Sequence, residues 1–96
     1  MIYNTAMTTI RVTSPLRPYI NGDAEIQVDG HTVGEAMDML MEKFPAFRPH
    51  LYKDDGTLRA FVNLFVDGQN IKDLQGLETV IESNTIIQLI PSIAGG

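Results

Sequence analysis

Apolar and polar residues alternate along residues 8–12, with Ile10 and Val12 on one side and Thr9 and Arg11 on the other. This is the pattern of a half-buried strand. Residues 24–28 repeat it, with Ile26 and Val28 inward and Glu25 and Gln27 outward. Between them, Pro15 and Pro18 predict a stiff, extended connection and Asn21-Gly22-Asp23 a turn, so the two strands form a hairpin with a long, irregular loop. The period then changes. Val33, Ala36, Met37, Leu40, Met41 and Phe44 recur at the spacing of one helix face, with Glu35, Asp38, Glu42 and Lys43 on the solvated side. Thr32 and Glu35 have capping-box spacing, in which the Thr32 hydroxyl accepts from the Glu35 N–H and the Glu35 carboxylate returns to the Thr32 N–H. Pro45 stops the helix.

Residues 47–52, with Pro49 among them, predict a short helical turn or a packed loop, and Lys53-Asp54-Asp55-Gly56 a polar turn. Residues 59–66 read as a strong strand, Asp67-Gly68 as a hairpin turn and residues 69–71 as a brief return strand. Residues 73–82 predict a loop or helical turn pinned by Leu74, Leu77, Val80 and Ile81. Ser83-Asn84 then turns the chain into a last strand, rich in β-branched residues, until Pro91, whose missing N–H ends sheet pairing. One amphipathic helix must cover one face of the sheet, because nothing else in the chain can bury its apolar side. The class is α+β. With the first and last strands parallel at the centre, the arrangement is a β-grasp (ubiquitin-like): one main helix packed on a mixed sheet of four to five strands. Residues 8–91 form this domain, residues 1–7 a loose lead-in in which Met1 or Met7 is the start, and residues 92–96 a flexible tail.

Period two divides the strong strand into Val62, Leu64 and Val66, facing the helix, and Phe61, Asn63 and Phe65, facing away. In the last strand Gln88 marks the outward side, taking Ile86 and Ile90 with it and leaving Ile87 and Leu89 for the core. Either residues 69–84 cover Phe61, Phe65, Ile86 and Ile90, or these four form an exposed apolar patch that marks a protein partner. Beyond Pro91 the chain runs through Ile93, Ala94 and Gly95 to the α-carboxylate of Gly96. Two glycines without Cβ let the last peptides enter a channel too narrow for side chains.

Composition narrows the chemistry. The net charge of −5 disfavours nucleic acid and anionic lipid, and fits a partner with a basic groove. No cysteine is present, so disulfides, thiolate metal sites and a cysteine nucleophile are excluded. No apolar run approaches the length of a membrane span and no signal-peptide pattern opens the chain, so the expected location is cytoplasmic. Side-chain catalysis is not expected. His31 and His50 lack ligand-type spacing and read as surface residues, Ser14, Ser83 and Ser92 lack a nucleophile-elbow context, Asp54-Asp55 is a turn, and no phosphate-cradling glycine loop is present. No metal site and no bound cofactor are expected.

The strand Phe61-Val62-Asn63-Leu64-Phe65-Val66, the Gly76-Leu77 loop and the ending Pro91-Ser92-Ile93-Ala94-Gly95-Gly96 resemble the ThiS/MoaD family of sulfur carriers, most closely its CysO type. The resemblance implies that a ubiquitin-activating-type enzyme uses ATP to adenylate the Gly96 carboxylate, and that sulfur then replaces the adenylate to leave a thiocarboxylate. Ile93 and Ala94 give the tail apolar grip and Gly95 thins it, so the chain is a protein cosubstrate and the ATP belongs to its partner. It further implies a sulfur-accepting synthase: a pyridoxal-phosphate-dependent cysteine synthase in the CysO-like form, or the large subunit of molybdopterin synthase in the MoaD-like form. A ubiquitin-like modifier joined to lysine through Gly96, and a plain binding module with an incidental tail, are the competing readings.

Overall fold

The computed structural model describes residues 7–91. Five strands form one sheet: β1 (Met7–Val12), β2 (Glu25–Asp29), β3 (Val62–Val66), β4 (Gln69–Asn70) and β5 (Ile86–Pro91). Their spatial order is β2-β1-β5-β3-β4, with β1 and β5 parallel at the centre and every other pair antiparallel. A parallel pair needs a long crossover. Here it contains α1 (Val33–Lys43), whose apolar stripe closes one face of the sheet. This is the β-grasp architecture.

The inward residues of the strands meet that stripe. Ile10, Val12, Val28, Leu64, Ile87 and Leu89 pack with Val33, Ala36, Met37 and Leu40 in one buried core. The helix begins as its cap predicts, the Thr32 Oγ1 accepting from the Glu35 N–H at 3.1 Å. The return bond differs. The Glu35 Oε1 accepts from the N–H of His31 at 2.8 Å, one residue before the cap. Gly30 lies so close to the first helical turn that a Cβ there would stand 2.8 Å from the Ala36 N.

The connection after β1 departs from expectation. Ser14–Ile20 is 3-10 helical instead of extended. Pro15 sits in the first turn, where a missing N–H costs no helical hydrogen bond and the ring's fixed φ suits the turn. Asn21 closes it in the left-handed region, and the turn drops Ile20 into the core. The short helical segment expected after Pro45 is present as a 3-10 turn at Pro45–Phe47 and α2 (Arg48–Leu51). Phe47 is fully buried, and Tyr19 stacks on it with ring centroids 5.5 Å apart.

β3 starts three residues later than its pattern suggests, at Val62. The Arg59 N–H is bonded to the Leu51 carbonyl and the Val62 N–H to the Arg59 carbonyl, so this stretch belongs to a turn tied to α2. The hairpin turn after β3 uses positive φ at both Asp67 and Gly68, which matches the twist of the strands it joins. Further on, Leu77 and Ile81 hold residues 73–82 to the core, but Leu74 and Val80 do not. Val80 is 68% exposed because its neighbours Thr79 and Ile81 bond to the backbone of Val33 and His31, which turns its side chain outward. Pro91 remains in β5 as its last residue, opposite Val62.

Candidate functional site at the exit of the central strand

β5 lies between β1 and β3, paired along both edges up to Leu89 and along the β3 edge through Pro91. Pairing of Val12 with Leu89 on one side and of Val62 with Pro91 on the other fixes the position and direction in which the chain leaves the sheet. Ile93, Ala94, Gly95 and Gly96 lie outside the described residues.

The sheet's second face carries the apolar residues singled out in the sequence. Phe65, Ile86 and Ile90 are half-buried and Phe61 is 41% exposed, whereas Val62, Leu64, Val66, Ile87 and Leu89 are buried on the helix side. Register sets their spacing. Ile90 is paired with Asn63, Gln88 with both Phe65 and Arg11, and Ile86 with Thr9. Phe61 immediately precedes the residue that faces Pro91, so an aromatic ring stands beside the exit. Residues 69–84 do not cover this face. Their turns at Ile71–Asp73 and Gly76–Glu78 pack on the helix side, where Ile71 and Leu77, with Leu58, Val62 and Leu64, line a cavity of about 180 Å³. A Cβ on Gly34 of α1 would stand 3.1 Å from the Leu77 carbonyl oxygen, which places the second of these turns against the helix.

Arginines lie on the segments that adjoin this end of the sheet, which sequence reading missed. Arg17 follows β1, and its Nε donates to the Val12 carbonyl at 3.1 Å. Arg59 precedes β3, and its Nε donates to the Pro49 carbonyl at 2.9 Å. Arg48 stands over the Tyr52 ring, 5.4 Å from its centroid. Burial, then the nearby Asp38 carboxylate, push the Tyr52 hydroxyl up to about 12 against an opposing effect of Arg48, so it is a neutral phenol at ordinary pH. Among the described residues the one ion pair is Arg11 with Glu25, at 2.9 Å and half-exposed. Arg17 and Arg59 are 42 positions apart in the chain, and only the pairing of β1 and β3 with β5 brings them to one end.

Side-chain chemistry is sparse elsewhere. His31 lies at the start of α1 and His50 on α2 against Tyr19, with ring centroids 4.2 Å apart in the latter pair. Among the described residues no group of three His, Asp or Glu side chains is arranged to hold a metal ion. No described helix is long and apolar enough to cross a membrane. Asp55 is turned back on its own loop, accepting from the Thr57 N–H and hydroxyl, and these hydrogen bonds hold its carboxyl below the usual range.

Comparison with known proteins agrees with this geometry. The profile of the ThiS family matches residues 10–96. A protein of Archaeoglobus fulgidus described as a putative sulfur carrier protein is 33% identical over 75 residues, covering 78% of this chain and 85% of the relative. A chain of the Amycolatopsis orientalis BexX/CysO complex superposes with a TM-score of 0.84 at 25% identity, over 93% of this chain and 99% of that one. The small archaeal modifier protein 1 of Methanosarcina acetivorans superposes with a TM-score of 0.83 at 25% identity, over 98% of this chain and all of its own. With a profile that runs from β1 through the C-terminal glycines and a relative matched across most of its length, the chain belongs to the ThiS family.

Proposed function

We propose that this chain is a sulfur carrier whose reactive group is the α-carboxylate of Gly96. The observation that carries the reading is the placement of β5. A strand paired between two others leads toward the last residues from the middle of the sheet, beside an apolar face that residues 69–84 do not cover, in a chain that ends Gly95-Gly96 and has no cysteine.

A carboxylate is a poor acyl donor and must be activated. In the proposed cycle a Gly96 carboxylate oxygen attacks the α-phosphorus of ATP on an adenylating partner, and pyrophosphate leaves. Hydrosulfide then adds to the acyl carbon, AMP departs with the electron pair of the broken C–O bond, and the thiol proton passes to solvent. The chain is left with a C-terminal thiocarboxylate. The acceptor synthase presents an electrophilic carbon, the thiocarboxylate sulfur bonds to it, and hydrolysis of the resulting acyl link returns the Gly96 carboxylate. ATP and any cofactor belong to the partner enzymes in this scheme, and the chain is their cosubstrate. Gly95 and Gly96 supply a thin tail, Ile93 and Ala94 an apolar grip, and Phe61, Phe65, Ile86 and Ile90 the docking face. Within the family we favour the CysO-like branch, in which the acceptor is a cysteine-synthase-type enzyme, because the likeness to the CysO complex extends over the whole domain. The likeness to an archaeal modifier favours a second use of the same adenylate, in which a target lysine amine replaces hydrosulfide as nucleophile.

ATP–pyrophosphate exchange with the cognate adenylating enzyme tests the reading. The wild-type chain supports exchange, whereas a chain with one residue appended after Gly96 does not, because the carboxylate has moved away from the nucleotide. Displacements of about 1 Å cost on the order of a hundredfold in such reactions. Equal exchange by the extended chain contradicts the proposal.

A further inference from the structure

The net charge of −5 is not spread evenly along β5. At the end where β5 begins stand Asp29, paired in register with Met7, then Asp67, whose N–H bonds to the Ile86 carbonyl, and Glu82, whose N–H bonds to the Thr85 hydroxyl. At the end where β5 leaves stand Arg17, Arg48 and Arg59. Two of these guanidiniums are clamped. Each gives its Nε to a main-chain carbonyl, which fixes the plane of the fork and leaves its terminal nitrogens without a protein partner among the described residues. The turns that carry the arginines are themselves joined, because Tyr19, in the turn of Arg17, touches His50 and Phe47 on either side of Arg48. Carboxylates of neighbouring segments are Asp23, Asp54 and Asp55 in turns and Asp38 and Glu42 on α1, Asp38 acting together with Arg48 on Tyr52, yet among the described residues none makes an ion pair with these three arginines. Among the described residues, these three guanidiniums at one end of an acidic protein have no ion-pair partner.

We propose that this cationic end is the electrostatic docking surface for the protein that receives the tail, and that the matching rim of that partner is lined with carboxylates. The inference rests on the carrier reading, in which the chain beyond Pro91 enters a partner's channel. The chemistry favours carboxylates because a guanidinium held by its Nε presents its remaining N–H groups in the planar geometry that a carboxylate accepts. The charge separation also orients the encounter. An acidic rim attracts the exit end and repels the Asp29, Asp67 and Glu82 end, so the tail arrives first.

The test sets substitutions at the exit end against a control at the opposite end, and of these Arg48→Gln and Gln69→Glu change the net charge equally. In Arg17→Gln/Arg48→Gln/Arg59→Gln the exit end is neutralised, and Gln69→Glu, on the exposed strand β4 at the opposite end, adds a negative charge away from it. Pyrophosphate exchange with the cognate adenylating enzyme is followed at low and high salt. The triple variant is expected to raise the KM for the carrier by about tenfold or more at low salt, with kcat unchanged, and to flatten its salt dependence. Gln69→Glu leaves KM within about twofold. If the triple substitution lowers the melting temperature, Arg48→Gln alone is read, since that side chain makes no main-chain hydrogen bond among the described residues. A triple or single variant with wild-type KM and wild-type salt dependence overturns the inference, as does an equal effect of Gln69→Glu. Absence of exchange by the wild-type chain overturns the carrier reading, and this inference with it.

Discussion

Adjacent residues of β3 offer the sharpest division between fold and function. Leu64 is 1% exposed and belongs to the helix-facing core, while Phe65 is half-buried on the opposite face and outside that core. Leu64→Ala removes packed methyl groups from a site walled by helix and sheet, and costs about 3 kcal/mol. In a domain of this size that lowers the melting temperature by roughly 15 °C. Phe65→Asp is a larger chemical change with a smaller expected cost. Its register partners are Asn70 and Gln88, both uncharged, so the new carboxylate meets no like charge directly across the sheet. Because Phe65 is half-buried and Asp is disfavoured in a strand, the stability cost is expected to be about 1–2 kcal/mol, still below that of Leu64→Ala. The affinity for the adenylating enzyme, in contrast, is expected to fall by on the order of tenfold or more, since a charge now stands in the proposed docking face. Thermal unfolding by circular dichroism and a binding titration read the two effects separately. Phe65→Asp unfolding as readily as Leu64→Ala would falsify the assignment of that face, and wild-type binding by a folded Phe65→Asp would remove the patch from the proposed interface.

Other substitutions test other links. Gly30→Ala forces a methyl to within 2.8 Å of the Ala36 backbone nitrogen and is expected to cost about 1–3 kcal/mol in urea unfolding, and an unchanged midpoint contradicts that close approach. Gly95→Ala lies beyond the paired residues of β5, so melting is expected to stay at the wild-type value while activation by the partner falls by about tenfold or more; activation at the wild-type rate refutes the narrow-channel argument. The Tyr52 hydroxyl, raised to about 12 from an ordinary value near 10, binds its proton more tightly in the folded chain. Its contribution is therefore complete below about pH 10 and is lost as pH rises through that of the folded state. Tyr52→Phe is expected to show a shallower loss of stability between about pH 10 and 12 than the wild type, measured by denaturant midpoints, and parallel curves count against the buried phenol.

Periodicity exposed most of the fold because each main element buries one face. The helix from Val33 and the inward sets of β3 and β5 are written in spacings that a reader can count. Parity likewise separated Phe61, Phe65, Ile86 and Ile90 from the core, but not what lies over them, because the path of residues 69–84 depends on tertiary contacts such as Leu77 against Gly34. The errors have the same origin. Pro15 and Pro18 suit an extended chain and a 3-10 turn equally well, and burial of Ile20 decides for the turn. Residues 59–61 have strand composition, yet the Leu51 carbonyl captures the Arg59 N–H first. The cationic end was illegible for a further reason: its arginines come from separate turns, and a net charge of −5 hides a local excess of the other sign.

Intact-mass analysis tests the central claim most directly. The chain is incubated with its cognate adenylating enzyme, ATP and hydrosulfide, then digested and mapped. A sulfur carrier gains a mass equal to the difference between one sulfur and one oxygen, confined to the C-terminal peptide ending at Gly96, with no cysteine to carry a persulfide elsewhere. The gain disappears when Gly96 is deleted. Adenylation without any such gain, accompanied by ligation of the chain to lysines, contradicts the carrier account and leaves the modifier in its place.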